Sequence, residues 1–305
     1  MGRFILRRFL QSLLTVFGVL TATFFLVRLS GDPASLLLPM EATDDDIARL
    51  RAELGLDQSL FIQYAKFLGN AAVGDFGRSL RQHVSAFDLV LERMPATLEL
   101  ALSAFVLGLV LAFTLGILMQ LAGNRQLKAL IMWTAFVRQA IPVFLFGLLL
   151  ILIFSVTLGW LPSLGRGSFQ NLILPALTLA TYEIALYLRL FNAALGQELG
   201  QDYVRTANAK GQSSARILLG HIVPNALLPI VTIAGINLGA LLGGAIVTET
   251  VFGWPGVGRL IVQAVVQRDY PVVIAGVFVV SCTFVIVNLI VDLLYSLLDP
   301  RVRLA

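Results

Sequence analysis

Two stretches, Tyr203-Val-Arg-Thr-Ala-Asn-Ala-Lys-Gly211 and His221-Ile-Val-Pro224, belong to one short, polar and basic segment of the chain. Long apolar runs flank this segment on both sides, at about 172–194 and about 226–251. Each run is long enough to cross the hydrocarbon core of a bilayer as a helix. The pattern predicts an all-α polytopic membrane protein, with the 203–224 segment as a loop on which a partner docks.

The composition of the whole chain agrees with this prediction. Of its 305 residues 58% are hydrophobic and 13% are charged, whereas soluble domains are nearer 45–50% apolar and 25% charged. The apolar residues fall into blocks of spanning length, which predict six transmembrane helices at about 9–29, 96–122, 130–159, 172–194, 226–251 and 271–297. The net charge of +4 is explained by basic loops facing anionic lipid or a partner rather than by nucleic-acid binding.

Basic residues in the short loops and at the chain ends predict the orientation. Six spans place the amino end, the 123–129 loop, the 195–225 loop and the tail on one side, which the positive-inside rule makes cytosolic. Their basic residues are Arg3, Arg7, Arg8, Arg125, Lys128, Arg205, Lys210, Arg216, Arg301 and Arg303. The first apolar run is too long for a signal peptide and has no A-x-A site before Gly31, so an uncleaved first helix is expected.

The long 30–95 segment is predicted to be a small helical insertion on the external side, between spans 1 and 2. Thr43 with Asp46, and Ser85 with Asp88, have the spacing of a helix N-cap and an acidic third residue. Gly55 is placed to end the first of these helices. The predicted organisation is therefore a cytosolic N-terminus and first span (1–29), the insertion (30–95) and a core of spans 2 to 6 (96–305).

Ionisable residues inside the spans are costly and single out candidate polar positions. Arg138 lies roughly 13 Å into the third span at 1.5 Å per residue, and Glu183 lies near the middle of the fourth. Either the two pair or both face a polar path; alternatively, Arg138 extends to the interface. Glu249 lies near a span end, where an interfacial position is favoured. Pro142 is expected to kink the third span.

Glycines at small-residue spacing mark one face of the fifth span, at Gly235, Gly239, Gly243 and Gly244. Such a face permits close helix approach. It can serve packing within the chain or packing against a second membrane subunit, and the sequence leaves both open.

Sequence signals of enzymes are nearly absent. The chain has no G-x-x-x-x-G-K-[ST] motif and no H-E-x-x-H motif. Its two histidines, His83 and His221, are predicted on opposite sides of the membrane, which argues against a zinc site within one chain. We therefore expect no catalytic residue, cofactor or metal, and the single Cys282 leaves the redox compartment open.

The 203–224 segment is predicted to form two short helices along the membrane surface, divided at Gly211 and stopped by Pro224. An ordinary juxtamembrane loop that only binds anionic lipid would also be basic and short. Against that alternative stands the spacing, which is a glycine, nine residues and then His-Ile-Val-Pro.

This spacing resembles the EAA loop of ATP-binding-cassette importer permeases, E-A-A-x3-G-x9-I-x-L-P, and its form is similar to the dipeptide/oligopeptide/nickel branch. Arg205, Thr206 and Ala207 stand where that loop has Glu, Ala and Ala. Further blocks resemble the branch along essentially the whole chain: Leu54-Gly-Leu-Asp-Gln58, Gly74-Asp-Phe-Gly77, Glu249-Thr-Val-Phe-Gly-Trp-Pro-Gly-Val-Gly-Arg259, Arg268-Asp-Tyr-Pro271 and Asp299-Pro-Arg301.

The resemblance implies the type I importer permease fold and a transport subunit without its own ATPase site. Implied partners are a homologous second permease, two cytosolic ATPase subunits that bind ATP and Mg²⁺, and a periplasmic or lipid-anchored binding protein. The resemblance also implies a prokaryotic cytoplasmic membrane and makes the insertion periplasmic. Residues 203–224, which we call the coupling segment, would dock on an ATPase through Tyr203, Arg205, Thr206, Ala207, Ala209, Lys210, Gly211, His221 and Pro224.

Candidates for the translocation path are Arg138, Glu183 and Glu249. The implied cargo is a di- or oligopeptide, with nickel complexes, glutathione, sugars or another small solute as alternatives within the same class. A self-sufficient secondary transporter or channel is a competing interpretation, but no inverted repeat is evident. Because Arg205 occupies the place of a glutamate, any ion pair with the ATPase would have reversed polarity. We expect Arg205→Glu or Gly211→Asp to uncouple ATP hydrolysis from transport.

Overall fold

The computed structural model describes residues 2–29, 43–53 and 55–298. The regular elements of these residues are helices joined by turns and loops. In chain order the helices are α1 (Gly2–Leu29), α2 (Asp44–Glu53), α3 (Leu60–Ala72), α4 (Ala86–Ala122), α5 (Arg125–Ala140), α6 (Val143–Leu150), α7 (Phe169–Leu199), α8 (Asp202–Ala209), α9 (Ser214–Ile217), α10 (Val223–Val251), α11 (Val257–Gln267) and α12 (Tyr270–Leu298). π-Helical turns extend α6 over Ile151–Thr157 and join α9 to α10 over Leu218–Ile222. Predictions that rest on Arg301, Arg303 or Asp299-Pro-Arg301 lie outside the described residues.

Each of the six predicted spans coincides with an apolar helical segment, which confirms the all-α polytopic fold class. Six helices within the described ranges are long and apolar enough to cross a membrane, or seven if the bent pair α5 and α6 counts as one span. The count treats 214–231 and 233–251 as two helices, although α10 runs without a break from Val223 to Val251. The helix of the second span begins at Ala86 rather than near residue 96.

The third predicted span is not one continuous helix. α5 and the helix that begins at Val143 meet at an angle of 110°. Ile141 and Pro142 between them adopt extended backbone conformations. Proline disfavours helical geometry at the residue before it and has no N–H to donate to the preceding turn. The kink predicted at Pro142 is therefore confirmed, and the prediction of a single span over 130–159 is corrected to two helices.

The chain forms two compact units, the first of which contains 1–96 and 255–286. In this unit the Phe24 ring on α1 packs against Tyr64 and Phe67 of α3, with centroids 5.2 Å apart in both pairs. Phe76 packs against Phe278 of α12 at 4.9 Å. The insertion thus buries its aromatic faces against helices of two predicted spans, as its small size requires.

Local signals predicted the helix ends of the insertion correctly. The Thr43 hydroxyl accepts a hydrogen bond from the Asp46 N–H, and the Asp46 carboxylate accepts from the Thr43 N–H and hydroxyl. These bonds lower the pKa of Asp46. The Ser85 hydroxyl likewise accepts from the Asp88 N–H, and Gly55 follows α2 with φ +65°.

The second unit contains 97–254 and 287–305, and its core lies around α7. Tyr187, Phe191 and Leu195 of α7 are fully buried there, in one apolar cluster with residues of α4, α8, α9 and α10. A Cβ on Gly116 of α4 would lie 2.5 Å from the Phe191 ring, so this approach of α4 to α7 requires glycine. The coupling segment is anchored in the same cluster.

Candidate functional site

The coupling segment is helical on both sides of Gly211, with α8 before it and the helical stretch that begins at Ser214 after it. Helix α8 ends at Ala209, and Gly211 follows with φ +73°, a left-handed conformation that turns the chain between α8 and α9. The Gly211 N–H donates to the Asn208 carbonyl at 2.9 Å. The division at Gly211 is therefore confirmed.

Pro224 does not stop the helical backbone, contrary to the prediction. The chain continues from α9 through Leu218–Ile222 into α10, and Pro224 occupies its first turn. A proline is tolerated there because the first N–H groups of an α-helix have no intrahelical partner.

The coupling segment has one buried face and one exposed face. Val204 and Ala207 of α8 and Ile217, Leu218 and Ile222 beyond it are at most 7% exposed and join the α7 core cluster. The exposed residues among those predicted to dock are Arg205, Thr206, Ala209, Lys210, Gly211, His221 and Pro224. The loop is thus fixed to the span helices by its apolar residues while it presents a basic surface outward.

Hydrogen bonds fix the two ends of this surface. The Tyr203 hydroxyl donates to the Glu198 carboxylate at 2.6 Å, and His221 Nε2 lies 3.2 Å from Gln212 Oε1. Burial and the bond to Glu198 raise the pKa of Tyr203 above its ordinary value. Arg205 pairs with Asp202 at 3.3 Å, but both side chains are more than three-quarters exposed. Arg205 can exchange this partner for another at small cost.

The hypothesised ion pair between Arg138 and Glu183 does not form. The Arg138 guanidinium is buried and donates to Thr181 Oγ1 at 2.8 Å, to the Ile141 carbonyl at 3.0 Å and to the Thr178 carbonyl at 3.1 Å. It also lies 4.0 Å from the centroid of the Phe146 ring. Arg138 therefore joins both sides of the break at Pro142 to α7.

Glu183 has a different partner, the Asn237 amide of α10, which donates to its carboxylate at 3.1 Å. Glu183 is 8% exposed and lines a cavity of about 470 Å³ together with Gln139, Tyr182 and apolar residues on both sides of the break at Pro142. A mostly apolar cavity thus adjoins a buried carboxylate within a predicted span.

Glu249 is fully buried within the protein, two residues before the end of α10, and the interfacial position expected for it stays a prediction. Its carboxylate accepts a hydrogen bond from the Thr97 hydroxyl of α4 at 2.7 Å. Carboxylates in apolar surroundings need such donors. Glu249 thus joins α10 to α4.

The polar partners Asn237, Thr97, Thr178 and Thr181 were not predicted. Asn237 had a usable signal, since an amide inside an apolar run of spanning length needs a hydrogen-bond partner. The threonines gave none, because threonine is common in such runs. No group of three or more His, Cys, Asp or Glu side chains within the described ranges is placed to hold a metal ion.

Two known protein families together match almost the whole length of the chain. A family described as "Binding-protein-dependent transport system inner membrane component" matches residues 92–304, and the corresponding N-terminal family matches residues 1–101. The chain is 40% identical over 304 residues to the glutathione transport system permease protein GsiC of Escherichia coli (strain K12), covering 99% of each protein. The protein of that name from Shigella flexneri serotype 5b (strain 8401) gives the same values.

Two solved structures share the fold at 18% sequence identity. An amino acid ABC transporter with histidines superimposes with a TM-score of 0.52 over 70% of this chain and 94% of its own. The inward-facing MetNI methionine ABC transporter superimposes with a TM-score of 0.54 over 69% of this chain and 96% of its own. These similarities support the predicted fold class and carry no information about cargo.

Proposed function

Since the chain belongs to the family of binding-protein-dependent transport system inner membrane components, and is thus a multi-pass permease subunit of an ATP-binding-cassette importer, we propose that its cargo is a short peptide. The observation that carries this proposal is the 40% identity to a glutathione permease over 99% of both chains. Glutathione is itself a tripeptide, so it falls within the proposed class. Nickel complexes and other small solutes remain alternatives within the same importer class.

The proposed energy source is a separate ATPase that docks on the coupling segment. The support is its construction, since buried Val204, Ala207 and Ile222 attach it to the α7 core while Arg205 and Lys210 are exposed. A force applied to the exposed face would be transmitted to packed helices rather than absorbed by a flexible loop. This assignment places the segment and both termini in the cytosol, and the insertion outside.

We further propose that Glu183 lies on the translocation path, because it lines the cavity beside the broken third span. Arg138 holds the wall of that path through its three hydrogen bonds to the break and to α7. That Glu249 contributes to the path stays a prediction. Its hydrogen bond with Thr97 suits a role in holding α10 against α4.

Uptake by cells tests the cargo. A strain lacking this gene, with and without a plasmid copy, would be given radiolabelled glutathione, dialanine or nickel. We expect uptake of at least one peptide to be lost and then restored by the plasmid, and excess unlabelled peptide to compete. Loss of nickel uptake with unchanged peptide uptake would reject the peptide assignment.

Purification tests the energy source. A tagged chain solubilised in mild detergent should bring with it a second permease and P-loop ATPase subunits that hydrolyse MgATP. Transport by the purified chain alone, driven by an ion gradient and indifferent to ATP, would instead identify a secondary transporter.

A further inference from the structure

A polar cavity of about 460 Å³ lies in the first compact unit. Its walls come from the end of α1, the turn after α2, helix α3, the 75–77 turn and the start of α12. This volume is within the range of small-molecule sites. The polar residues that line it are Arg28, Gln58, Gln63, Lys66, Asn70 and Asp75.

Three buried polar atoms of these residues have no hydrogen-bond partner in the part of the chain that the structure describes. They are Arg28 Nε, Gln58 Oε1 and Gln63 Oε1. Gln63 is only 8% exposed, and its Nε2 is occupied by the carbonyls of Leu56 and Gln58. Buried polar atoms in native proteins almost always have partners, so three around one cavity point to a ligand that supplies them.

The polar side chains that line the cavity define the chemistry of that ligand. Arg28 and Lys66 offer positive charge and N–H donors, which suit a carboxylate. The two glutamine oxygens and the Asp75 carboxylate accept hydrogen bonds, which suits an amide N–H or an amine. A molecule with a carboxylate at one end and N–H groups a few atoms away satisfies both sets.

An apolar cavity of about 270 Å³ adjoins the polar one. Arg28, Phe67, Phe76 and Ile274 line both. The additional lining of the second cavity is almost entirely apolar, from Phe24, Val27, Leu56, Leu80, Tyr270 and Pro271. A ligand whose charged groups lie in the first cavity would therefore place an apolar side chain in the second.

We propose that these two cavities form one binding site for a small peptide with an apolar side chain, distinct from the translocation path. The choice of a peptide rests on the proposed function, whereas the position of the site rests on the unpaired atoms. Residues from three of the sequence blocks line this site, namely Gln58, Asp75-Phe76-Gly77 and Tyr270-Pro271. On the proposed topology the site is external, so it meets peptide before the path does.

Equilibrium binding of dileucine to the full chain in lipid nanodiscs tests the site. We expect saturable binding of dileucine, with at least about tenfold weaker binding of diglycine, because diglycine leaves the apolar cavity unfilled. Dileucine amide, which lacks the carboxylate, should also bind at least about tenfold more weakly. Equal binding of all three probes, or none, would overturn the proposal.

Two variants localise the binding. Gln58→Leu removes an unpaired buried oxygen, so the unfolding temperature should stay equal or rise while dileucine affinity falls at least about tenfold. Lys66→Met should lower the affinity similarly, and Arg78→Met, an exposed residue outside both cavities, should leave it unchanged. Unchanged binding in both cavity variants, or a phospholipid found there by mass spectrometry that dileucine fails to displace, would reject the site.

Uptake measured in parallel separates this inference from the proposed function. If dileucine does not bind but cells still import peptides through the chain, only the cavity proposal fails. If the cells import no peptide, the proposed cargo fails whatever the nanodiscs show.

Discussion

The Arg138 guanidinium donates a hydrogen bond of 3.0 Å to the carbonyl oxygen of Ile141, the C-cap residue that follows helix α5. Pro142 follows, so this carbonyl lies where the helical hydrogen-bond ladder is interrupted. The same guanidinium reaches Thr178 and Thr181 of α7. One buried cation thus stabilises a 110° bend and attaches it to the central helix of its unit.

Replacing Arg138 should destabilise the chain. Arg138→Met removes one donor each from the Ile141 carbonyl, the Thr178 carbonyl and the Thr181 hydroxyl, which predicts a loss of about 1–3 kcal/mol in stability. Arg138→Lys should retain only part of the stability that Arg138→Met loses, because one ammonium group cannot reproduce the planar donor set of a guanidinium. Thermal unfolding in detergent measures both, with Arg189→Met, an exposed arginine on α7, as the control. Equal unfolding temperatures for Arg138→Met and Arg189→Met would contradict the role of Arg138.

Among the described residues Arg138 and Glu183 have no hydrogen-bond partner in common, so their substitutions should act independently. In a double-mutant cycle of Arg138→Gln and Glu183→Gln, the stability effects should add within about 0.5 kcal/mol. A larger coupling energy would mean that the two side chains interact after all.

Predictions from the sequence held where the cause is local. The caps at Thr43 and Ser85, the turn at Gly211 and the bend at Pro142 each depend on a few adjacent residues. The pairing of Arg138 with Glu183 was inferred from depth along a straight helix, and the break at Pro142 removes that premise. Which face of α7 meets Arg138, and which threonines it offers, depends on tertiary packing that hydrophobic periodicity does not encode.

The Ser79 hydroxyl donates to the Asp269 carboxylate at 2.5 Å, and the Leu80 N–H donates to the same group at 3.0 Å. Asp269 is only 3% exposed. We expect Asp269→Ala to cost about 2–4 kcal/mol, since two donors lose a charged acceptor. Limited proteolysis should then cut the 72–86 region faster than in the wild type. Asp57→Ala is the matched control, because Asp57 is exposed. Equal rates of cleavage in Asp269→Ala and Asp57→Ala would contradict the role of Asp269.

Two glycines of the fifth span should respond differently to alanine. A Cβ on Gly235 would overlap the Val291 side chain of α12, whereas a Cβ on Gly243 meets nothing within 4 Å in the described structure. Overpacking predicts a loss of about 1–3 kcal/mol for Gly235→Ala. Gly243→Ala should be neutral or slightly stabilising, because alanine favours helices. Unfolding of the purified chain measures both, and the opposite order would show that α10 does not pack on α12 through Gly235.

The Tyr203 contact with Glu198 should make stability fall at alkaline pH. The pKa of Tyr203 is raised from its ordinary value near 10.0, so the folded state favours the protonated hydroxyl. Its contribution is complete below about pH 10 and is lost as the pH rises through the raised value. Between about pH 9 and about pH 11 the wild type should therefore lose more stability than Tyr203→Phe. Parallel pH profiles for the two proteins would contradict the linkage.

Arg205→Glu and Gly211→Asp should separate ATP hydrolysis from transport. The exposed pair of Arg205 with Asp202 contributes little to stability, so Arg205→Glu should fold and insert normally while reversing the charge presented to the ATPase. At Gly211 the left-handed backbone disfavours a side chain by roughly 1 kcal/mol, although aspartate tolerates this conformation better than most residues.

Less ATPase should co-purify with either variant, because a charge facing the wrong partner at an interface costs several kcal/mol. The ratio of solute uptake to ATP hydrolysis should fall at least about tenfold. Arg125→Glu reverses another exposed charge, at the start of α5 on the same predicted side, and should leave both activities intact. If Arg205→Glu and Gly211→Asp transport normally, docking through the coupling segment is wrong, and its basic face then serves the lipid surface alone.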